Sequence, residues 1–102
     1  MPYRPIGIKE LQDRASDIFQ AFGLEKVAVF GSCARNEMRR GSDIDLLVQL
    51  PDLNNPLVFV ELKRKLENRL KRKIELISYG SLETAQDTAA IMADLKVIYE
   101  KH

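Results

Sequence analysis

Near the start of the chain, apolar residues recur at steps of three and four: Ile8, Leu11, Ala15, Ile18, Phe19 and Phe22, with Gly23 directly behind them. A helix turns every 3.6 residues, so this spacing predicts a first amphipathic helix, and Gly23 supplies the left-handed backbone that commonly ends one. Val27, Ala28, Val29 and Phe30 then form a short apolar run ending at Gly31. Such a run predicts a strand buried on both faces. Residues 31–42 (GSCARNEMRRGS) are small, polar and basic, enough for a helix of one or two turns opening near Ser32. Asp43 to Leu50 (DIDLLVQL) predicts a second strand, closed by the turn-forming Pro51, Asp52, Asn54, Asn55 and Pro56.

From Leu57 to Leu70, Phe59, Leu62, Leu66 and Leu70 make one stripe while Lys63, Arg64, Lys65, Glu67, Asn68 and Arg69 fill the rest, which predicts a second amphipathic helix. Lys73 to Ser78 (KIELIS) predicts a third strand bounded by Tyr79 and Gly80. A last helix is expected from about Ser81 to Ala93, with Leu82, Ala85, Ala89 and Met92 at helical spacing. Val97, Ile98 and Tyr99 add a terminal strand. Helices and strands in this alternation predict an α/β fold, a small sheet flanked by helices, in one domain spanning residues 1–102.

Composition narrows the function classes. Sixteen Lys and Arg against fifteen Asp and Glu leave a net charge of +1, so no global field draws the protein to nucleic acid or to a membrane surface. Any anion site is local. The basic run around Lys63, Arg64, Lys65, Arg69, Lys71, Arg72 and Lys73 is read as the wet face of its helix rather than as an RNA site. No apolar run approaches the roughly 20 residues that span a bilayer. The single cysteine, Cys33, has no intramolecular partner for a disulfide, and no secretory leader pattern opens the chain. A cytoplasmic protein is the expectation.

Asp43 and Asp45 stand out because Asp is disfavoured in strands, yet two of them open an apolar one. Strand side chains alternate, so both carboxylates point to one face, their Cα atoms about 6.5–7 Å apart, with Ile44 pointing the other way. Carboxylates so placed suit a hard cation such as Mg²⁺, bound through one or two carboxylates together with substrate phosphates. Glu75 lies between Ile74 and Leu76 in the third strand and reaches the same face if the second and third strands are neighbours. Upstream, Gly31 and Ser32 follow a buried strand where backbone N–H groups and the Ser32 hydroxyl can cradle a phosphate. Arg35, one turn on, offers bidentate contacts to the same phosphates.

The run GSCARNEMRRGSDIDLLV resembles the signature of the DNA polymerase β-type nucleotidyltransferase superfamily. In its compactness the chain resembles the minimal nucleotidyltransferases that act as antitoxins beside HEPN-domain ribonuclease toxins. The resemblance implies a polymerase β-like fold with a small mixed sheet. It further implies that Gly31, Ser32 and Arg35 contact the triphosphate of ATP, and that Asp43, Asp45 and Glu75 bind two Mg²⁺ ions. The implied reaction moves AMP from ATP to a tyrosine of a partner HEPN toxin and thereby silences it. Two positions depart from the pattern: Asn36 stands where a glycine usually follows the arginine, and Glu75 stands where the third acid is usually Asp. Two rival functions are a non-catalytic module that neutralises its partner by contact, and a small-molecule nucleotidyltransferase of the aminoglycoside-modifying kind. The paired Asp43 and Asp45 speak against the first, and the lack of extra helical segments for an acceptor speaks against the second.

Overall fold

The computed structural model describes residues 6–35, 43–50, 56–79 and 93–101, with the side chains of Ser32 and Pro56 left out. Helix α1 runs from Ile8 to Ala21 and buries Leu11, Ala15, Ile18 and Phe19, the stripe set by the sequence spacing. It ends in a Schellman turn. Gly23 takes φ +67°, its N–H donates to the Gln20 carbonyl at 3.0 Å, and the Leu24 N–H donates to the Phe19 carbonyl at 3.2 Å.

Strand β1 (Lys26–Phe30) leads into the one-turn helix α2 (Gly31–Ala34), then strand β2 (Ile44–Gln49), helix α3 (Pro56–Leu70) and strands β3 (Ile74–Ser78) and β4 (Lys96–Glu100). These bounds fall within a residue or two of the sequence pattern. Pro56, expected in the closing turn of the second strand, instead opens α3. The first helical residue needs no intrahelical N–H and the proline ring presets its φ. The helix expected over residues 81–93 lies outside the described residues, apart from the helical turn at Ala93 and Asp94.

The four strands form one mixed sheet in the order β3-β2-β1-β4. β1 pairs antiparallel with both β2 and β4, whereas β2 and β3 run parallel, with α3 as the crossover that parallel pairing requires. Helices α1 and α3 pack on one face. There Val27, Val29, Ile44, Leu46, Val48, Ile74 and Ile98 join Leu11, Phe19, Leu62 and Leu66 in the main core. The other face carries a smaller cluster of Ala28, Phe30 and Leu47, flanked by Ile77, Tyr79 and Leu95. Both faces of β1 are thus buried, as its unbroken apolar run implied.

Arg69, grouped with the wet face of its helix by the sequence, also ties α3 to α1. Its Nη1 donates to the Arg14 carbonyl at 2.9 Å and to Asp17 Oδ1 at 2.9 Å, while Arg14 Nη2 donates to the Arg69 carbonyl at 2.7 Å. The guanidinium holds the Asp17 carboxyl below its ordinary range. Lys63, Arg64, Lys65, Lys71 and Lys73 are exposed.

Helix α3 stops at Lys71, a non-glycine residue in the left-handed region with φ 56°. Left-handed backbone costs an L-residue about 1–2 kcal/mol that glycine avoids. Lys71→Gly is therefore expected to raise the unfolding free energy by about 1 kcal/mol in urea titrations. An unchanged or lower value would show that the Lys71 side chain offsets the strain.

Candidate active site

Strand alternation and the sheet register assemble the site on the face turned away from α1 and α3. Asp45 lies opposite Phe30 on β1 and opposite Glu75 on β3. Ile44, between the two aspartates, is fully buried on the helix side, so Asp43 and Asp45 stand on the far side together. Glu75 faces the same way because β3 is the parallel neighbour of β2, which meets the condition the sequence reading set for it. The ladder is anchored here by the Ile44 N–H donating to the Lys73 carbonyl at 2.9 Å and by the Ile74 N–H donating to Glu67 Oε2 at 3.1 Å.

The electrostatics record this crowding. Burial, with the negative charges of Asp43 and Glu75 beside it, raises the Asp45 carboxyl to about 6, and Arg35 opposes the rise. Among the described residues, no group of three acidic, histidine or cysteine side chains forms a ready-made metal cage. Asp43 and Asp45 are half-buried and Glu75 is exposed. The donors are all hard oxygens, which fits Mg²⁺, an ion that keeps waters and takes substrate phosphates alongside one or two carboxylates.

Gly31 sits directly against this cluster. It adopts φ +72°, and a Cβ placed there would collide with Asp45 Oδ2 and approach its Cγ to 3.3 Å. Only glycine satisfies both constraints. The backbone of Ser32 lies in the first turn of α2, and the Arg35 N–H closes that turn onto the Gly31 carbonyl at 3.1 Å. Arg35 Nη1 donates to Asp94 Oδ2 at 2.5 Å, an ion pair spanning 59 positions of sequence. Cys33 is a packing residue, 2% exposed, with Sγ 3.8 Å from the Ile6 carbonyl oxygen. Burial, helped by the charge of Asp45, pushes its thiol up. Asn36 lies outside the described residues.

Two participants escaped the sequence reading. Glu67, counted on the wet face of its helix, caps the start of β3. Asp94, the partner of Arg35, belongs to no local motif, and only the fold brings it to α2.

The model of the family described as polymerase beta, nucleotidyltransferase matches residues 13–102. Protein adenylyltransferase MntA of Thermococcus cleftensis is 36% identical over 76 residues, covering 74% of this chain and 70% of that protein. A solved toxin–antitoxin structure with AMP-PNP superposes with a TM-score of 0.71 at 21% identity, covering 89% of this chain and 74% of the other. A tri-AMPylated Shewanella oneidensis HEPN toxin in complex with MNT antitoxin gives 0.66 at 17% identity, with coverage of 92% and 73%. At these identities the two structures speak for the fold.

Two measurements probe the geometry. Gly31→Ala is expected to destabilise the protein by at least about 1–2 kcal/mol from the left-handed backbone, with the collision against Asp45 added. In an Asp45→Ala background the collision part disappears and the backbone part remains; full additivity of the two substitutions would contradict the contact. The second is a pH series on metal-free protein. The folded Asp45 carboxyl titrates at about 6 against an ordinary value of 3.8, so between those limits the folded state binds the extra proton. That contribution makes stability fall as pH rises from about 4 to about 6, with no further loss above. Asp45→Asn is expected to remove this component and to raise the thermal midpoint at pH 7. A variant no more stable than wild type there would refute the crowding.

Proposed function

Because the chain belongs to the polymerase beta nucleotidyltransferase family, we propose that this nucleotidyltransferase works as an antitoxin, moving AMP from ATP to a tyrosine of a HEPN-domain ribonuclease toxin. The observation that carries the proposal is the register of β2 and β3. It sets Asp45 beside Glu75, with Asp43 on the same face and Gly31 against Asp45. The name of the Thermococcus relative supports protein as the acceptor, and the HEPN complex among the similar folds supports the partner class.

Each residue has a part in this reading. Gly31 permits the close approach of a phosphate that any side chain would block, and Ser32 and Arg35 bind the triphosphate. Asp43, Asp45 and Glu75 hold two Mg²⁺ ions, which when bound neutralise the triphosphate and favour ionisation of the acceptor hydroxyl. The phenolic oxygen attacks the α-phosphorus, the bond from the α-phosphorus to the bridging oxygen breaks, and pyrophosphate leaves. Glu75, the most exposed of the three acids, receives the phenolic proton. Replacing the usual aspartate by Glu75 adds one methylene and keeps the oxygen donors, so the departure alters geometry rather than chemistry.

The test is label transfer from α-³²P-ATP to a HEPN-domain ribonuclease from the same genome, with Mg²⁺ present. Wild type is expected to label the toxin and suppress its ribonuclease activity, while the Asp43→Asn, Asp45→Asn double variant does neither, losing at least about a hundredfold in rate. Absent labelling with wild type, while the ribonuclease is still inhibited, would replace the catalytic reading with neutralisation by contact. Labelling of a small molecule rather than protein would reassign the acceptor.

A further inference from the structure

We propose that Asp94 is a positioning residue for the nucleotide site, holding the Arg35 guanidinium in the orientation that receives the triphosphate; the inference rests on the functional reading above. Arg35 ends helix α2 directly after Gly31 and Ser32, and its charge is felt at Asp45. Its side chain is 44% exposed, and a long side chain at a helix end has many rotamers of similar energy. Something must select one.

Asp94 contributes to that selection through a direct ion pair. It precedes β4, whose Lys96 pairs with Val29 near the end of β1, so the fold sets Asp94 at the sheet edge beside α2. The carboxylate accepts from Arg35 Nη1 at 2.5 Å and is itself only 26% exposed. A guanidinium carries five N–H donors in a fixed plane, so a carboxylate on one nitrogen fixes the plane and the direction of the other donors. A half-exposed ion pair of this kind contributes little to folding. Its consequence is orientation.

Asp94→Asn keeps the shape and removes the charge, and Asp94→Ala removes both. Binding of AMP-PNP with Mg²⁺ is measured by calorimetry for wild type, Asp94→Asn, Asp94→Ala, Arg35→Ala and the Arg35→Ala, Asp94→Ala double variant. In parallel, the Arg35 side-chain nitrogen resonances are followed by NMR without nucleotide. Asp94→Ala is expected to weaken binding five- to tenfold and Asp94→Asn several-fold, with unfolding midpoints close to wild type. The double variant is expected to bind no worse than Arg35→Ala alone, because Asp94 acts only through Arg35. The Arg35 resonances, distinct in wild type, average together in Asp94→Asn. Unchanged affinity in both Asp94 variants, or losses that add in full to that of Arg35→Ala, would overturn the positioning role while leaving the functional reading intact. Wild type that fails to bind AMP-PNP at all would overturn the functional reading and this inference with it.

Discussion

Parallel pairing of β2 with β3 is the constraint from which the site follows. Parallel neighbours need a long crossover, and α3 provides it while covering the helix-side face of the sheet with Leu62, Leu66 and Leu70. Ile44, Leu46, Val48 and Ile74 are committed to that core, so strand alternation sends Asp43, Asp45 and Glu75 to the other face. A shift of β3 by one residue would turn Glu75 into the core and Ile74 outward. The carboxylate cluster is therefore held in place by hydrophobic burial on the reverse side of the same strands. The bonds from the Ile74 N–H to Glu67 and from the Ile44 N–H to the Lys73 carbonyl fix the register at the end of the ladder where the acids stand.

That arrangement works against stability at the site it creates. Asp45 is half-buried next to two other acids, and its raised proton affinity records that burial first and the repulsion second. Gly31 adds a left-handed residue pressed against the same carboxylate. Neither feature helps the chain to fold, and both fit the cation and triphosphate binding proposed for this face. Natural proteins tolerate local conflicts of this kind where binding of a ligand relieves them. The well-packed core on the helix face supplies the stability that lets the far face carry the strain.

Much of this was legible in the chain. The spacing of Leu11, Ala15, Ile18 and Phe19 gave α1, and Gly23 marked its end, because periodicity and left-handed glycine are local properties. The two aspartates at alternate positions of an apolar strand announced a shared carboxylate face for the same reason. Adjacency was not local: KIELIS reads as a strand, but nothing within it says that its neighbour is β2 or that Glu75 meets Asp45. The pair of Arg35 and Asp94 lay beyond reading altogether, since they stand 59 positions apart and no periodicity links a helix end to a sheet edge. Arg69 was half legible, its charge pointing to the wet face while its bonds to α1 depend on how two helices cross. Pro56 was misplaced because a proline suits a turn and a first helical position equally well.

The central claim, that Asp43, Asp45 and Glu75 form one charge cluster built to be relieved by a cation and nucleotide, is tested most directly by NMR titration of the Asp45 side-chain carboxyl. In metal-free protein the account predicts a midpoint near 6, displaced downward when Mg²⁺ and AMP-PNP are added. A midpoint near the ordinary 3.8 that is indifferent to both would contradict it.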